Sequence, residues 1–425
     1  MKKIFIPLMT VAVVVSIIFA GCVPAPAPPP VTPPPVTPPV EPPVEPPVEE
    51  EEWAWVVVDE WKIPVLSSVT GGFAFIGEDI NRCYQWSQEQ INAAGGIAGK
   101  PLVFEYHDDE CDPSRAAAEI SKVVGWALTT LGPFCSPACG GVGPIGIDAG
   151  LYMLWDSTGV DICKEFQPWV LSTQPESDTV WPAGVRAWLK QNPDITKVCP
   201  IYTSEGPVYK GMIESAMKGV EQAGLEVTDY VAFSEEIVDY GPPAVKALAT
   251  GADGFFICGN PPAVAPVFME MRKRGMDDNT KYCMTDHQDT PGWWEIAEGN
   301  MEGFYCVDPY NTESKNPRWQ AFCEWKMEGW ELEGYGWNIG MVDEVFMIKA
   351  CFEECRITGD PAKLKEERIL IRDWFNNVDD FPGVTGPFDI VDGIIICDPY
   401  LRQADDYKFH TLGQCDPEGN LLPLD

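Results

Sequence analysis

Fifteen cysteines and three histidines are the side chains of this 425-residue sequence best suited to ligate a metal or act as nucleophiles. Their spacing argues against both roles. No CxxC pair occurs, and His107, His287 and His410 are scattered along the chain, so zinc has no recognisable ligand set. Cys351 and Cys355 stand one helical turn apart and could hold a metal, although packing or pairing elsewhere suits them better. The sequence lacks GxSxG and HExxH, and three histidines leave few general bases. Asp108 and Asp109 read as a solvated acidic turn rather than a catalytic dyad. The expectation is a protein that is not an enzyme and carries no cofactor or metal.

Two glycine-rich runs suggest phosphate binding and fail on inspection. In Gly95-Gly96-Ile97-Ala98-Gly99-Lys100-Pro101 the glycine spacing is wrong, and Pro101 stands where a Ser or Thr must meet a metal ion. Gly141-Val142-Gly143-Pro144-Ile145-Gly146 matches GxGxxG but lacks the acidic residue that would bind a ribose. The neighbouring segment Phe134-Cys135-Ser136-Pro137-Ala138 has a better use, since it ends a buried strand and opens a helix. Backbone N–H groups there, with the Ser136 hydroxyl, suit a ligand carboxylate. Ser136 capping its own helix is the competing reading.

The elements that must position these residues alternate between strand and helix, a pattern that builds parallel sheets covered on both faces. Short apolar runs occur at 63–66, 102–106, 130–134, 152–155, 198–202, 227–233, 254–258 and 281–284. Helical stretches separate them at 114–126, 180–191, 212–223, 244–250 and 263–274, and further helices follow at 319–329 and 339–358. The stretch 91–113 is the most informative: a helix end, the Gly95-Gly96 turn, a strand, then an acidic turn in which Asp112 caps a helix opened by Pro113. The alternation pauses at 171–179 and again near 308–316, and 383–398 reads as a hairpin-like return. Two interdigitated α/β lobes follow, the first of residues 61–175 and 308–384, the second of 176–307 and 385–425.

Lys2 and Lys3, an apolar run from Ile4 to Phe19, and small residues before Cys22 read as a lipoprotein signal peptide over residues 1–22. Cys22 would be the lipidated residue. The run is too short to span a bilayer, and the proline-rich, acidic segment 23–52 reads as a disordered, semi-rigid stalk. The protein is therefore expected outside the cytoplasmic membrane, at the cell surface or in the periplasm. A net charge of −36 argues against a nucleic acid or an anionic membrane surface as partner. Setting Cys22 aside, fourteen cysteines remain, an even number compatible with several disulfides in that compartment.

At these residues the chain resembles the branched-chain amino acid and amide class of substrate-binding proteins, the leucine/isoleucine/valine-binding proteins of ABC importers with the type I periplasmic binding protein fold. The resemblance is carried by Thr70-Gly71 with Gly77, the run Ile91–Lys100, Asp108–Pro113, Gly132–Ser136, Tyr209 with Gly211, and Gly383–Asp389. It implies two Rossmann-like lobes joined by a hinge of three crossovers and closing on a ligand between them. It also implies a Cys111–Cys135 disulfide, worth about 3–4 kcal/mol for a loop of this length in the chain-entropy model. Carried across, Ser136 and the adjacent Pro137 would meet the ligand carboxylate with Ser157 and Thr158. Asp286 or His287 would face an ammonium group, and Tyr209 and Ile76 would line the cleft. Ile76 stands where the family often has an aromatic, and Asn260 where it has a tyrosine. A larger, aromatic or amide ligand thus competes with a branched-chain amino acid. The implied function is a lipid-anchored importer receptor with ABC permease subunits as partners; a sensing module for a signalling partner is the alternative.

Overall fold

The computed structural model describes residues 53–71, 74–156, 160–204, 207–286, 291–327 and 337–424. Cys22, the signal segment and the whole of the stalk lie outside them. Among the described residues no helix is long and apolar enough to cross a membrane.

Strand β1 (Trp61–Ser67) is buried at every position but Lys62, the near-continuous burial expected of a strand covered on both faces. Helix α1 (Ala74–Ala93) returns the chain, and Asn92 near its end accepts a hydrogen bond from Leu102 N (2.7 Å) and donates one to Leu102 O (2.8 Å). Gly96 has φ +83°, and a Cβ there would lie 2.1 Å from Lys100 O, so only glycine permits this turn. The chain continues through β2 (Leu102–Asp108), α2 (Pro113–Val123), β3 (Thr129–Leu131), α3 (Ser136–Ala149), β4 (Tyr152–Trp155), α4 (Val160–Glu165) and β5 (Val170–Ser172). These five strands are parallel in the order β2-β1-β3-β4-β5. Asp112 caps α2 by accepting from Arg115 N at 2.8 Å, with Pro113 in the first turn.

A second series starts with α5 (Ser177–Gln191) and runs through β6 (Lys197–Thr203), α6 (Pro207–Gln222), β7 (Glu226–Val227), β8 (Val231–Phe233) and α7 (Gly241–Ala249). It ends with β9 (Gly254–Cys258), α8 (Pro261–Lys273), β10 (Tyr282–Thr285), α9 (Pro291–Ile296) and β11 (Tyr305–Asp308). The single strand expected at 227–233 is split into β7 and β8, both pairing with β6.

The chain then returns to the first lobe. Helices α10 (Pro317–Met327), α11 (Trp337–Glu354) and α12 (Leu364–Phe375) pack on its core through Trp319, Phe322, Val345, Phe352 and Phe375. Strands β12 (Phe381–Gly383), β13 (Gly386–Val391) and β14 (Ile394–Ile396) extend the same sheet, with β14 beside β5. The lobe boundary expected at 384/385 is therefore corrected: 386–396 belong to the first sheet, and the chain passes to the second only at 397–399. The cause is a two-residue turn, Asp392-Gly393, with both φ values positive, which folds β13 and β14 into a hairpin against β5. Strands β15 (Tyr400–Asp405), β16 (Lys408–Cys415) and β17 (Leu421–Leu422) finish the second sheet as an antiparallel edge on β11. Three connections thus join the lobes: after β5, after β11 and after β14.

The even cysteine count does not become a fully bridged chain. Cys199, Cys283, Cys351, Cys355, Cys397 and Cys415 are thiols, and Cys199, Cys283, Cys351 and Cys415 are buried as small apolar side chains of the cores.

Candidate functional site

In parallel sheets the side chains that can converge on a ligand stand just past the carboxyl ends of the strands. In the first lobe β1 leads to Ile76, half-buried against the lobe core, and β3 leads to Cys135 and Ser136. Cys135 is joined to Cys111, with 5.6 Å between their Cα atoms. The N-cap of α3 is Cys135, without a side-chain cap, so Ser136 is the first helical residue and does not cap its own helix. Ser136 is partly exposed and Pro137 exposed. Ser157, Thr158 and His287 lie outside the described residues.

Asp156, at the end of β4, is 3% exposed and accepts from Thr173 Oγ1 (3.0 Å) and Gln174 Nε2 (2.8 Å) in the first connection. Tyr310, in the second connection, donates to Thr173 O at 2.7 Å. Behind them, Tyr84 of α1 donates to Glu344 Oε2 of α11 at 2.6 Å. Burial first, and then the Asp156 charge, push the Glu344 carboxyl well above the usual range. Burial likewise pushes its neighbour Asp343 up to about 7, although the Val384 N–H bond and the Arg318 charge work against it.

The second lobe contributes a chain of hydrogen bonds across three strand ends. Tyr209 of α6 donates to Asn260 Oδ1 (2.8 Å), Asn260 Nδ2 donates to Glu235 Oε2 (2.6 Å), and Thr203 Oγ1 donates to Glu235 Oε1 (2.8 Å). Burial raises the Tyr209 phenol, so it remains a donor. Asp286, next after β10, is 6% exposed. The two lobes meet at Tyr310: burial raises its phenol most, and Asp156 from the first sheet and Asp286 from the second both act on it.

Tyr209 and Asn260 are thus brought together, with Asp286 at a strand end of the same sheet. Asp156, Thr173, Gln174, Glu235, Tyr310, Asp343 and Glu344 were not singled out in the sequence. Two of them leave a readable trace, the Asp343-Glu344 pair interrupting an apolar helix. Asp109 also departs from expectation. It is buried, accepts from Ser68 Oγ (2.6 Å) and Cys111 N (2.8 Å), and so braces the turn rather than facing solvent. The arrangement offers donors and acceptors for hydroxyl, amide, carboxylate and ammonium groups. Among the described residues no cluster of three or more His, Cys, Asp or Glu is disposed to hold a metal ion.

A family model described as "Periplasmic binding protein" matches residues 60–405. The chain belongs to that family. This binding protein is 22% identical over 257 residues to the Leu/Ile/Val/Thr-binding protein of Salmonella typhimurium, covering 60% of this chain and 69% of the relative. It superposes on a leucine binding protein from Thermotoga maritima with TM-score 0.67 at 19% identity, over 84% of this chain and 99% of that one. A solute binding protein of an ABC transporter from Rhodopseudomonas palustris, in complex with p-hydroxybenzoic acid, superposes with TM-score 0.68 at 19% identity, over 84% and 98%. At such identities the likeness establishes the fold: two α/β lobes of the type I periplasmic binding protein.

Proposed function

We propose that this binding protein is the extracytoplasmic receptor of an ABC importer, taking a small organic ligand between its lobes by hinge closure and handing it to membrane permease subunits without chemistry. The supporting observation is the placement of two polar strand-end sets, Ser136 with Asp156 and Tyr209-Asn260-Glu235 with Asp286, in lobes joined by three connections. Ligand held by both sets stabilises the closed form by its differential affinity for it. Cys22 would anchor the mature chain, and the Cys111–Cys135 bridge would brace the loop carrying Ser136 and Pro137.

A branched-chain or other hydrophobic amino acid is the first choice of ligand, supported by the Salmonella relative's name and by Asp286 as partner for an ammonium group. Ser157, Thr158 and His287 would complete the site. An amide or aromatic acid is the second, supported by the p-hydroxybenzoic acid bound in the Rhodopseudomonas structure and by the carboxamide of Asn260. Titration calorimetry of the full chain with L-leucine, L-valine, an aliphatic amide and 4-hydroxybenzoate separates them. Saturable one-to-one binding of either amino acid supports the first reading; binding of only the amide or the benzoate replaces it with the second. No binding by any of the four counts against both ligand classes.

A further inference from the structure

Two adjacent acids in an otherwise apolar stretch of α11 are both buried, Asp343 at 2% and Glu344 at 0% exposure; Asp343 faces the turn between β12 and β13, and Glu344 lies near the first connection. Asp343 accepts from Val384 N with both carboxylate oxygens, at 3.1 Å and 3.1 Å. The carbonyl of Val384 in turn accepts from Ser314 Oγ of the second connection at 2.9 Å. The next carbonyl, Thr385 O, accepts from Tyr400 Oη, just past the third connection, at 3.4 Å. Glu344, gripped by Tyr84 at 2.6 Å, lies near Thr173 of the first connection, whose carbonyl receives Tyr310 of the second at 2.7 Å. One turn earlier on α11, a Cβ on Gly340 would lie 3.1 Å from Thr173 Cβ, which measures how closely the helix approaches that connection.

We propose that Asp343 is a proton-operated brace: as it gives up its proton, the Val384 turn and the first two connections, tied to it through Ser314 and Tyr310, loosen together. A buried carboxyl that is hydrated by local opening releases its proton more readily when open, so opening is favoured as pH rises toward the value at which the closed form ionises. Burial places that value at about 7. The groups facing Asp343 are Arg318 of α10, stacked over Phe346 at 3.7 Å, and Tyr310 of the second connection; Asp156, Asp286 and Cys397 act on the same Tyr310. Arg318 is the cation opposing the shift, so it sets the midpoint.

Hydrogen exchange of the full chain without any ligand tests this, and its outcome is separate from whether the receptor reading or any ligand choice holds. Exchange in peptides covering 171–175, 309–316 and 383–386, corrected for intrinsic rates, is measured from pH 5 to 8. Protection in all three should fall together by about tenfold per pH unit at most, levelling off above 7. Asp343→Asn should reduce the dependence, leaving only what the raised carboxyl of its neighbour Glu344 contributes, and Arg318→Met should move the Asp343 midpoint to higher pH. Flat profiles in the wild type, an unchanged profile in either folded variant, or a response confined to 383–386 would overturn the proposal. Should Asp343→Asn fail to fold, the Arg318→Met midpoint and the wild-type profile still decide it.

Discussion

Single side chains divide into those offered to a ligand and those that hold the cleft in shape. We propose Tyr209 and Asn260 for the first kind, since their mutual hydrogen bond lies at strand ends and Asn260 is exposed. Tyr209→Phe and Asn260→Ala should each weaken binding about tenfold, the worth of one hydrogen bond of about 1–1.5 kcal/mol, with unfolding midpoints little changed. Calorimetry beside thermal unfolding checks this, and an equal loss of stability would assign both residues to the scaffold. Asp343 is of the second kind, and its sign follows from linkage. Its value rises from an ordinary 3.8 to about 7 on folding, so the native state holds the extra proton between those limits. Stability from this group is present in full below about pH 4 and lost as pH climbs through 7. Denaturant unfolding should therefore show the wild type losing stability relative to Asp343→Asn over that range. Parallel pH profiles would contradict the assignment.

Elements hold their places here through a few buried polar anchors. Arg368 of α12 donates through Nε to Ala127 O (2.8 Å), through Nη1 to Ala149 O (2.9 Å) and through Nη2 to Val124 O (2.8 Å), so one guanidinium closes the ends of α2 and α3. Removing it strands buried carbonyls, and Arg368→Ala should cost about 2–4 kcal/mol in denaturant unfolding. The Cys111–Cys135 bridge ties the acidic turn to the start of α3. Replacing both by serine should lower stability by about 3 kcal/mol and abolish any effect of reductant on the unfolding midpoint. Elements were legible in the sequence where local signals were strong, as at Asp112-Pro113 and Gly95-Gly96. Val170–Ser172 and Tyr305–Asp308 are too short to show a periodicity, so the sequence shows only pauses at 171–179 and near 308–316. There β5 lies between two parallel neighbours, and β11 between parallel β10 and antiparallel β15. Helix α12 has no side-chain cap at Lys363 and went unread.

At the scale of the whole molecule, the two-lobe α/β architecture was legible because strand and helix alternate in two series. The interdigitation was legible in outline and misplaced at its last boundary. Asp392-Gly393 is a local hairpin signal, but the pairing of β14 with β5 joins residues more than two hundred positions apart, which no local pattern reports. The proposed site divides in the same way. Ser136 follows from local order and Tyr209 and Asn260 from the family resemblance, whereas Glu344, Thr173 and Asp156 come together from segments distant in sequence. These strand ends are proposed to hold a small organic ligand across the two lobes. Thermal unfolding of the full chain against amino acids, amides and aromatic acids tests it most directly. At a hundredfold excess over Kd a true ligand adds about 2.7 kcal/mol. A clear rise in midpoint is expected for at least one compound, reduced in Tyr209→Phe and Asn260→Ala. No stabilisation by any compound, or one equal in both variants and the wild type, would contradict it.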